Sequence, residues 1–331
     1  MALSAIRSGA FVCALGLSTA AAADSIQLKL PVACEVGRTC FIQTYVDADP
    51  SSAARDYRCG SLTYDGHNGT DFRLPSMEAQ RTGVDVLAAA DGRVLRMRDD
   101  VADVSVREGD REAVSGKECG NGLVVEHAGG WETQYCHMAR GSLQVRPGQT
   151  VKAGQSLGRI GLSGLTEYPH LHFTVRHEGK VTDPFAHGAP PGNCSGGEML
   201  WEPSLRKALA YQERTIVNAG FATGAVSMKT IEDGDPDRTA PDTDAAALVA
   251  YVRAIGLKSG DVQSLALRSP LGKEIAKNRL APLERNRAQS FLFAGRKRPA
   301  NGWDRGTYQA TYIVEQNGQV VLQRDLEVEL K

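Results

Sequence analysis

Over residues 61–184 the chain is a succession of short apolar runs broken by glycine-rich turns, with almost no helical periodicity. Side chains on a strand alternate between its two faces, so runs of this length bounded by turns predict an all-β unit built of hairpins. Residues 123–126 and 133–136 flank Ala128, Gly129 and Gly130, a loop with glycine available for positive φ. Residues 145–160 read as tight turns between very short strands. A polar insertion, residues 99–117, interrupts the regular pattern and is read as a surface loop.

Residues 188–197 are rich in glycine and proline and have the character of a linker. Beyond an acidic, proline-interrupted stretch at 233–244, residues 247–255, 262–268 and 289–293 each suit a strand. Tyr308, Ala310, Tyr312 and Val314 then alternate on one face, Asn317 and Gly318 supply a hairpin turn, and residues 320–330 return. Strands joined by turns predict an immunoglobulin-like β-sandwich here. The expected organisation is a leader (1–23), a first β-domain (24–197) and a C-terminal β-sandwich domain (198–331).

The leader has the features of an export signal: Arg7, an apolar stretch at 10–17, and small residues at 18–23 with cleavage expected after Ala23. Cys13 lies inside the apolar stretch, not behind a small residue at its end, which argues against a lipid-anchored cysteine. No later stretch approaches the roughly 18 to 20 apolar residues of a membrane helix. The remaining cysteines, Cys34, Cys40, Cys59, Cys119, Cys136 and Cys194, are an even set without zinc-knuckle spacing, as expected of disulfides in an oxidising compartment. Cys34 with Cys40 would close a short loop, and Cys119 with Cys136 would bracket the hairpin, leaving Cys59 with Cys194. The expected location is outside the cytoplasm, the periplasm before a secreted form. The formal net charge is −1, and the short basic cluster Arg296, Lys297 and Arg298 lacks interleaved aromatics, so the chain has no nucleic-acid footprint.

The placement of histidines carries the chemistry. His170-Leu171-His172-Phe173 sets two imidazoles at i and i+2, on one face of a strand whose other face is apolar. His67-Asn68-Gly69-Thr70-Asp71 puts a histidine and a carboxylate on one face of an extended segment, with Gly69 between them leaving room for a metal ion. Two neutral imidazoles and one carboxylate make a normal catalytic zinc shell with a position open to water. Neither a His-Glu-x-x-His helix nor a glycine-flanked serine nucleophile is present. His127, His177 and His187 are read as structural, Asp65 and Glu167 as solvated loop charges, and Cys136 as a disulfide partner.

The order of these motifs resembles the lysostaphin-type zinc endopeptidases, peptidoglycan hydrolases of compact β-sheet fold. The resemblance covers residues 66–184. It includes Asp91-Gly92-Arg93-Val94, Gly120-Asn121-Gly122, Tyr135-Cys136-His137-Met138, Pro147-Gly148 and Lys152-Ala153-Gly154. It implies an antiparallel metallopeptidase domain with one zinc ion (Zn2+) per chain, held by His67, Asp71 and His172, and with His137 and His170 as catalytic groups. Which histidine is the general base is left open. The run Gly164 to Pro169 departs from the family pattern by carrying Glu167 and Tyr168, which would narrow or charge the groove. The implied function is zinc-dependent hydrolysis of peptide cross-links in cell-wall peptidoglycan. A non-catalytic wall-binding or amidase-activating protein and a secreted protease for glycine-rich proteins are the alternatives. The C-terminal domain is the surface left for a protein partner.

Overall fold

The computed structural model describes residues 25–109, 111–194, 196–234 and 241–331 together with Met1, so the expected leader lies, Met1 aside, outside the described residues. In chain order the first half carries β1 (Phe41–Thr44), β2 (Thr70–Arg73), helix α1 (Met77–Thr82), β3 (Asp85–Leu87), β4 (Gly92–Arg98) and β5 (Asn121–Glu126). It continues with β6 (Trp131–Met138), β7 (Thr150–Val151), β8 (Ser156–Arg159), β9 (His170–His177) and β10 (Lys180–Thr182). The main sheet runs β1-β2-β9-β6-β5-β4-β7, with β10 also on β9 and all neighbours antiparallel. Strands β3 and β8 form a separate ribbon.

Strand β9 sits near the middle of this sheet because its apolar alternation is complete. Leu171, Phe173 and Val175 are fully buried on one face. Their ladder partners include Phe72 opposite Leu171 and Tyr135 opposite Phe173, which point to the same side and enter the same core. The β5–β6 hairpin forms at the expected loop, where Gly129 and Gly130 take φ of +69° and +75°. Helix α1 falls in a segment where no helix was expected. Ser76 caps it by accepting from the Ala79 N–H at 3.2 Å, and Gly83 ends it with φ of +94°.

The core extends past the expected linker. Residues 188–194 with Gly196 and Gly197 are irregular and largely exposed, yet Leu200, Trp201 and Leu209 return to the first core. The Trp201 ring lies 6.1 Å from that of Phe72, 5.7 Å from Phe173 and 5.6 Å from Phe185, centroid to centroid. The expected cysteine pairs, Cys34–Cys40, Cys59–Cys194 and Cys119–Cys136, are all bonded.

The second half carries β11 (Thr215–Ala222), helix α2 (Met228–Asp233), β12 (Ala247–Leu257), β13 (Val262–Arg268), β14 (Glu274–Arg279), β15 (Arg287–Lys297), β16 (Gly306–Gln316) and β17 (Gln319–Leu330). Sheets β11-β12-β15 and β14-β13-β16-β17 enclose a core containing Leu248, Leu265, Leu292, Tyr308, Ala310, Tyr312 and Val314. This is the expected sandwich. Its last hairpin turns on Asn317 and Gly318, both at positive φ (52° and 78°), the backbone twist that a two-residue hairpin loop requires.

Candidate metal centre

Register brings the two motifs together. In the ladder between β2 and β9, Asp71 stands opposite His172 and Arg73 opposite His170, while β6 places Cys136 on the other side of His172. Cross-strand partners share a face, so the sheet presents Asp71, His170 and His172 away from the Leu171–Phe173 core. His67 comes from the loop before β2, not from an extended strand as the sequence suggested; its N–H closes a turn onto the Tyr64 carbonyl at 3.0 Å.

Three atoms converge. His67 Nε2 lies 3.2 Å from Asp71 Oδ1 and 3.2 Å from His172 Nδ1, and His172 Nδ1 lies 2.9 Å from Asp71 Oδ1. His67 and Asp71 are each 3% exposed, so these groups meet out of bulk water. Zinc bonds of about 2.0 to 2.1 Å in a tetrahedron would set ligand atoms about 3.3 Å apart, close to the spacing found. The outer hydrogen bonds agree with that use. His67 Nδ1–H donates to the Tyr45 carbonyl at 2.7 Å, and His172 Nε2–H donates to Asn68 Oδ1 at 2.9 Å. Each imidazole is thereby left with its lone pair aimed at the common point. Gly69 serves a different purpose from the one its sequence position suggested. A Cβ there would lie 2.6 Å from His172 Nε2 and 2.8 Å from the Phe173 carbonyl oxygen, so the missing side chain makes room for the His172 ring and the neighbouring strand.

His137 and His170 flank the cluster, their ring centroids 4.6 Å apart. His137 donates from Nδ1 to the Ser163 carbonyl at 2.8 Å, and His170 from Nδ1 to the Tyr168 carbonyl at 2.9 Å. Nε2 is then the free basic atom of each ring. The His137 backbone is left-handed, with φ of +62°, next to a register shift between β5 and β6. Its N–H donates to the Cys119 carbonyl at 2.8 Å, and the Cys119–Cys136 disulfide ties the same two segments. Behind it, a Cβ on Gly120 would stand 2.4 Å from the Ser163 carbonyl, a close approach that only glycine permits.

Charge states follow from burial. Burial, and then the neighbouring imidazoles of His170 and His172, hold His137 well below the usual imidazole range. Burial lowers His170 as well, against the pull of Asp71. Burial opposes ionisation of Asp71, yet the His67 and His170 imidazoles hold its carboxyl well below the usual carboxylate range. The site therefore offers one anionic oxygen and two neutral basic nitrogens beside it at neutral pH.

All five residues singled out in the sequence meet in this cluster, and residues 65–184 match the sequence profile of peptidase family M23. Residues 65–184 form a peptidase M23 domain. The resemblance drawn from the motifs falls within the same stretch. Peptidoglycan DD-endopeptidase ShyB of Vibrio cholerae is 32% identical over 117 residues, 35% of this chain and 22% of that protein. Cell division protein DipM of Caulobacter vibrioides is 31% identical over 117 residues, 35% of this chain and 15% of that protein. Among solved structures, a zinc containing peptidase from Vibrio cholerae is 27% identical, covering 46% of this chain and 41% of that chain at a TM-score of 0.29. The likeness to the two curated relatives thus spans less than a quarter of their length.

Several groups that support the site carried no signal in the sequence. The carbonyls of Tyr45 and Ser163 are backbone atoms, which every residue has, and Asn68 was read only as part of the extended segment from His67 to Asp71. Asn121, which the sequence did mark in the Gly120-Asn121-Gly122 match, is fully buried: its Oδ1 accepts from the Val101 N–H at 2.8 Å, and its Nδ2 donates to the Val101 carbonyl at 2.7 Å. Glu167 is held by Arg107 at 3.0 Å and Arg111 at 3.2 Å on the groove rim. The described residues of the insertion, 99–109 and 111–117, are largely exposed but pinned near the middle, where the Val106 N–H donates to the Thr166 carbonyl at 2.9 Å. His127 bonds to the Asp91 carbonyl and to Thr133, and His177 stacks on Trp131 at 4.1 Å.

Proposed function

We propose that this chain is a zinc-dependent endopeptidase that hydrolyses peptide cross-links of bacterial peptidoglycan. The observation that carries the reading is the convergence of His67 Nε2, Asp71 Oδ1 and His172 Nδ1, with both imidazole tautomers fixed by outer carbonyl groups. Two neutral nitrogens and a carboxylate suit one zinc ion, with a position left for substrate or water. Zinc held there supplies a Lewis acid for the scissile carbonyl and acidifies a water at neutral pH. His137 and His170 are each neutral with Nε2 free, so one of them would accept the water proton at Nε2 and, now an imidazolium, return that proton to the leaving amine. A peptide lies along the groove between Tyr64, Leu165 and Tyr168. The similarity to proteins named peptidoglycan DD-endopeptidases supports cell wall as the substrate.

Export to the periplasm fits the signal-like N-terminus and the three disulfides. Among the described residues, no helix is long and apolar enough to cross a membrane.

A second reading, a non-catalytic wall-binding protein, is favoured by the similarity to a protein named for cell division rather than for proteolysis. Metal analysis together with mass spectrometry of muropeptides released from purified sacculi separates the two. The endopeptidase reading expects one zinc per chain and new cross-link fragments, with Asp71→Ala losing zinc and fragments together. One zinc per chain with nothing released would favour the binding protein. Cleavage of glycine-rich proteins with sacculi left intact would make it a secreted protease.

A further inference from the structure

The groove over the metal centre is a cavity of about 690 Å³ whose lining is not confined to the M23 domain. It also takes in Leu257 at the end of β12 and Asn286, Arg287 and Ala288 at the start of β15. Leu257 is 1% exposed and packs in the sandwich core, so the exposed residues that the sandwich brings to the groove are Asn286, Arg287 and Ala288. The C-terminal sandwich is thus part of the groove.

This wall is fixed. Phe41 of β1, Val217 of β11 and Ile255 of β12 make one buried apolar cluster across the junction. At Gly256, with φ of +69°, a Cβ would lie 2.2 Å from the Glu213 carbonyl oxygen and 2.8 Å from Leu62 Cδ2, so the chain passes too close for any side chain. Arg73, two residues after Asp71, and Arg253 of β12 are each 1% exposed and share the Glu232 carboxylate, at 3.5 Å and 3.0 Å. Arg253 also donates to the Pro75 carbonyl. Two buried guanidiniums from the two halves on one carboxylate resist separation, because parting them would leave buried charge unpaired.

The charges lining the groove do not all cancel. Glu167 is taken by Arg107 and Arg111, and Asp71 by the histidines. Arg287 is exposed, and among the described residues no carboxylate forms an ion pair with it. A planar guanidinium with five donors, lining the same cavity as the metal-centre residues, is matched chemically by a carboxylate.

We propose that the β-sandwich is a substrate-recognition wall in which Arg287 binds a carboxylate of an acidic peptide lying across the metal centre. The proposal rests on the endopeptidase reading and names its substrate class. It is tested on the full-length, zinc-loaded chain with two cross-linked peptides that differ only in whether the side carboxylate near the scissile bond is free or amidated. Wild type is expected to favour the acid in KM by about 1.5- to fivefold, the range of an exposed charge pair. In Arg287→Ala the acid-to-amide ratio should fall to about one, in Arg287→Lys it should be partly kept, and in Arg287→Glu it should invert. Zinc content should be the same in all four proteins. A wild-type ratio of one, or a ratio unchanged in Arg287→Ala, overturns the proposal. If wild type cleaves neither peptide, the endopeptidase reading fails on its own. Binding of the two peptides, read by calorimetry, then decides Arg287 by the same ratio: an acid preference lost in Arg287→Ala supports it, and equal binding overturns it.

Discussion

The M23 domain and the C-terminal sandwich both bury polar side chains, but they dispose of them differently. In the sandwich, buried Asp261 receives Arg214 at 2.8 Å, and Gln263 accepts from the Tyr312 hydroxyl at 2.9 Å, so each group is matched to a donor of its own. In the M23 domain, His67, Asp71 and His172 turn acceptor atoms toward one another, and His137 holds a left-handed backbone beside them. The sandwich places its non-glycine positive φ at a solvent-exposed turn residue, Asn317. Unmatched acceptors and strain in a buried place are what a fold tolerates for a ligand, whereas matched pairs in an apolar core are what it needs for shape.

That contrast can be broken or sharpened by substitution. The largest expected effect is on rate: His137→Ala should lower turnover by about 10² to 10⁴-fold while zinc stays bound. Loss of zinc in that variant, measured by elemental analysis, would move His137 from the proton-handling groups into the metal shell.

The next concerns where the first unit ends. Trp201 follows the linker-like segment yet fills the core between Phe72, Phe173 and Phe185. Trp201→Ala should cost about 3 to 5 kcal/mol in the unfolding of the M23 domain, and a chain ended at Gly197 should not hold zinc. Normal zinc binding by that shortened chain would show that Trp201 is dispensable to the site.

Replacing Cys119 and Cys136 by serine should cost about 2 to 5 kcal/mol in denaturant unfolding. Turnover should fall as well, because Cys136 precedes His137 in the strained segment. Unchanged turnover in the folded double variant would mean that the register shift and the Ser163 carbonyl aim His137 without help.

Asp183 gives a pH-dependent effect. Burial, partly offset by the Phe185 N–H and reinforced by Asp56, raises its carboxyl to about 7. A folded-state pKa above the unfolded value means that the stability is fully present below the unfolded pKa and is lost as pH rises through about 7. Asp183→Asn keeps an oxygen for the Phe185 N–H, now at 2.8 Å. It should therefore be more stable than wild type by about 1 to 3 kcal/mol at pH 8 and equal to it near pH 4. Thermal unfolding at the two pH values reads this; a gain of the same size at both would point to packing instead of charge.

The smallest effect compares backbone strain in the two regions. His137→Gly should exceed His137→Ala in stability by about 1 kcal/mol, and Asn317→Gly should exceed Asn317→Ala by a similar amount. A difference at Asn317 alone would locate the strain of the M23 domain elsewhere than His137.

The sequence by itself determined the elements whose signal is local. Strand β9 was legible because Leu171, Phe173 and Val175 alternate with His170, His172 and Thr174. The last hairpin was legible because Asn317-Gly318 follows an alternating run, and the cysteine pairing because the spacing left few geometries. His67, Asp71, His170 and His172 were legible from type and spacing, and His137 through the family resemblance. Other features depend on distances that no local pattern encodes, and only the tertiary structure decided them. His67 lies in a turn because its Nδ1–H must reach Tyr45, and Gly69 is glycine because His172 packs against it from a strand far along the chain. Trp201 belongs to the first core because Phe72, Phe173 and Phe185 leave a space of its shape. Arg287 lines the groove because a buried ion cluster and an apolar joint lock the sandwich against the first half of the chain. Periodicity reports which face of an element is apolar; which distant face it meets is set by packing and charge pairing between elements.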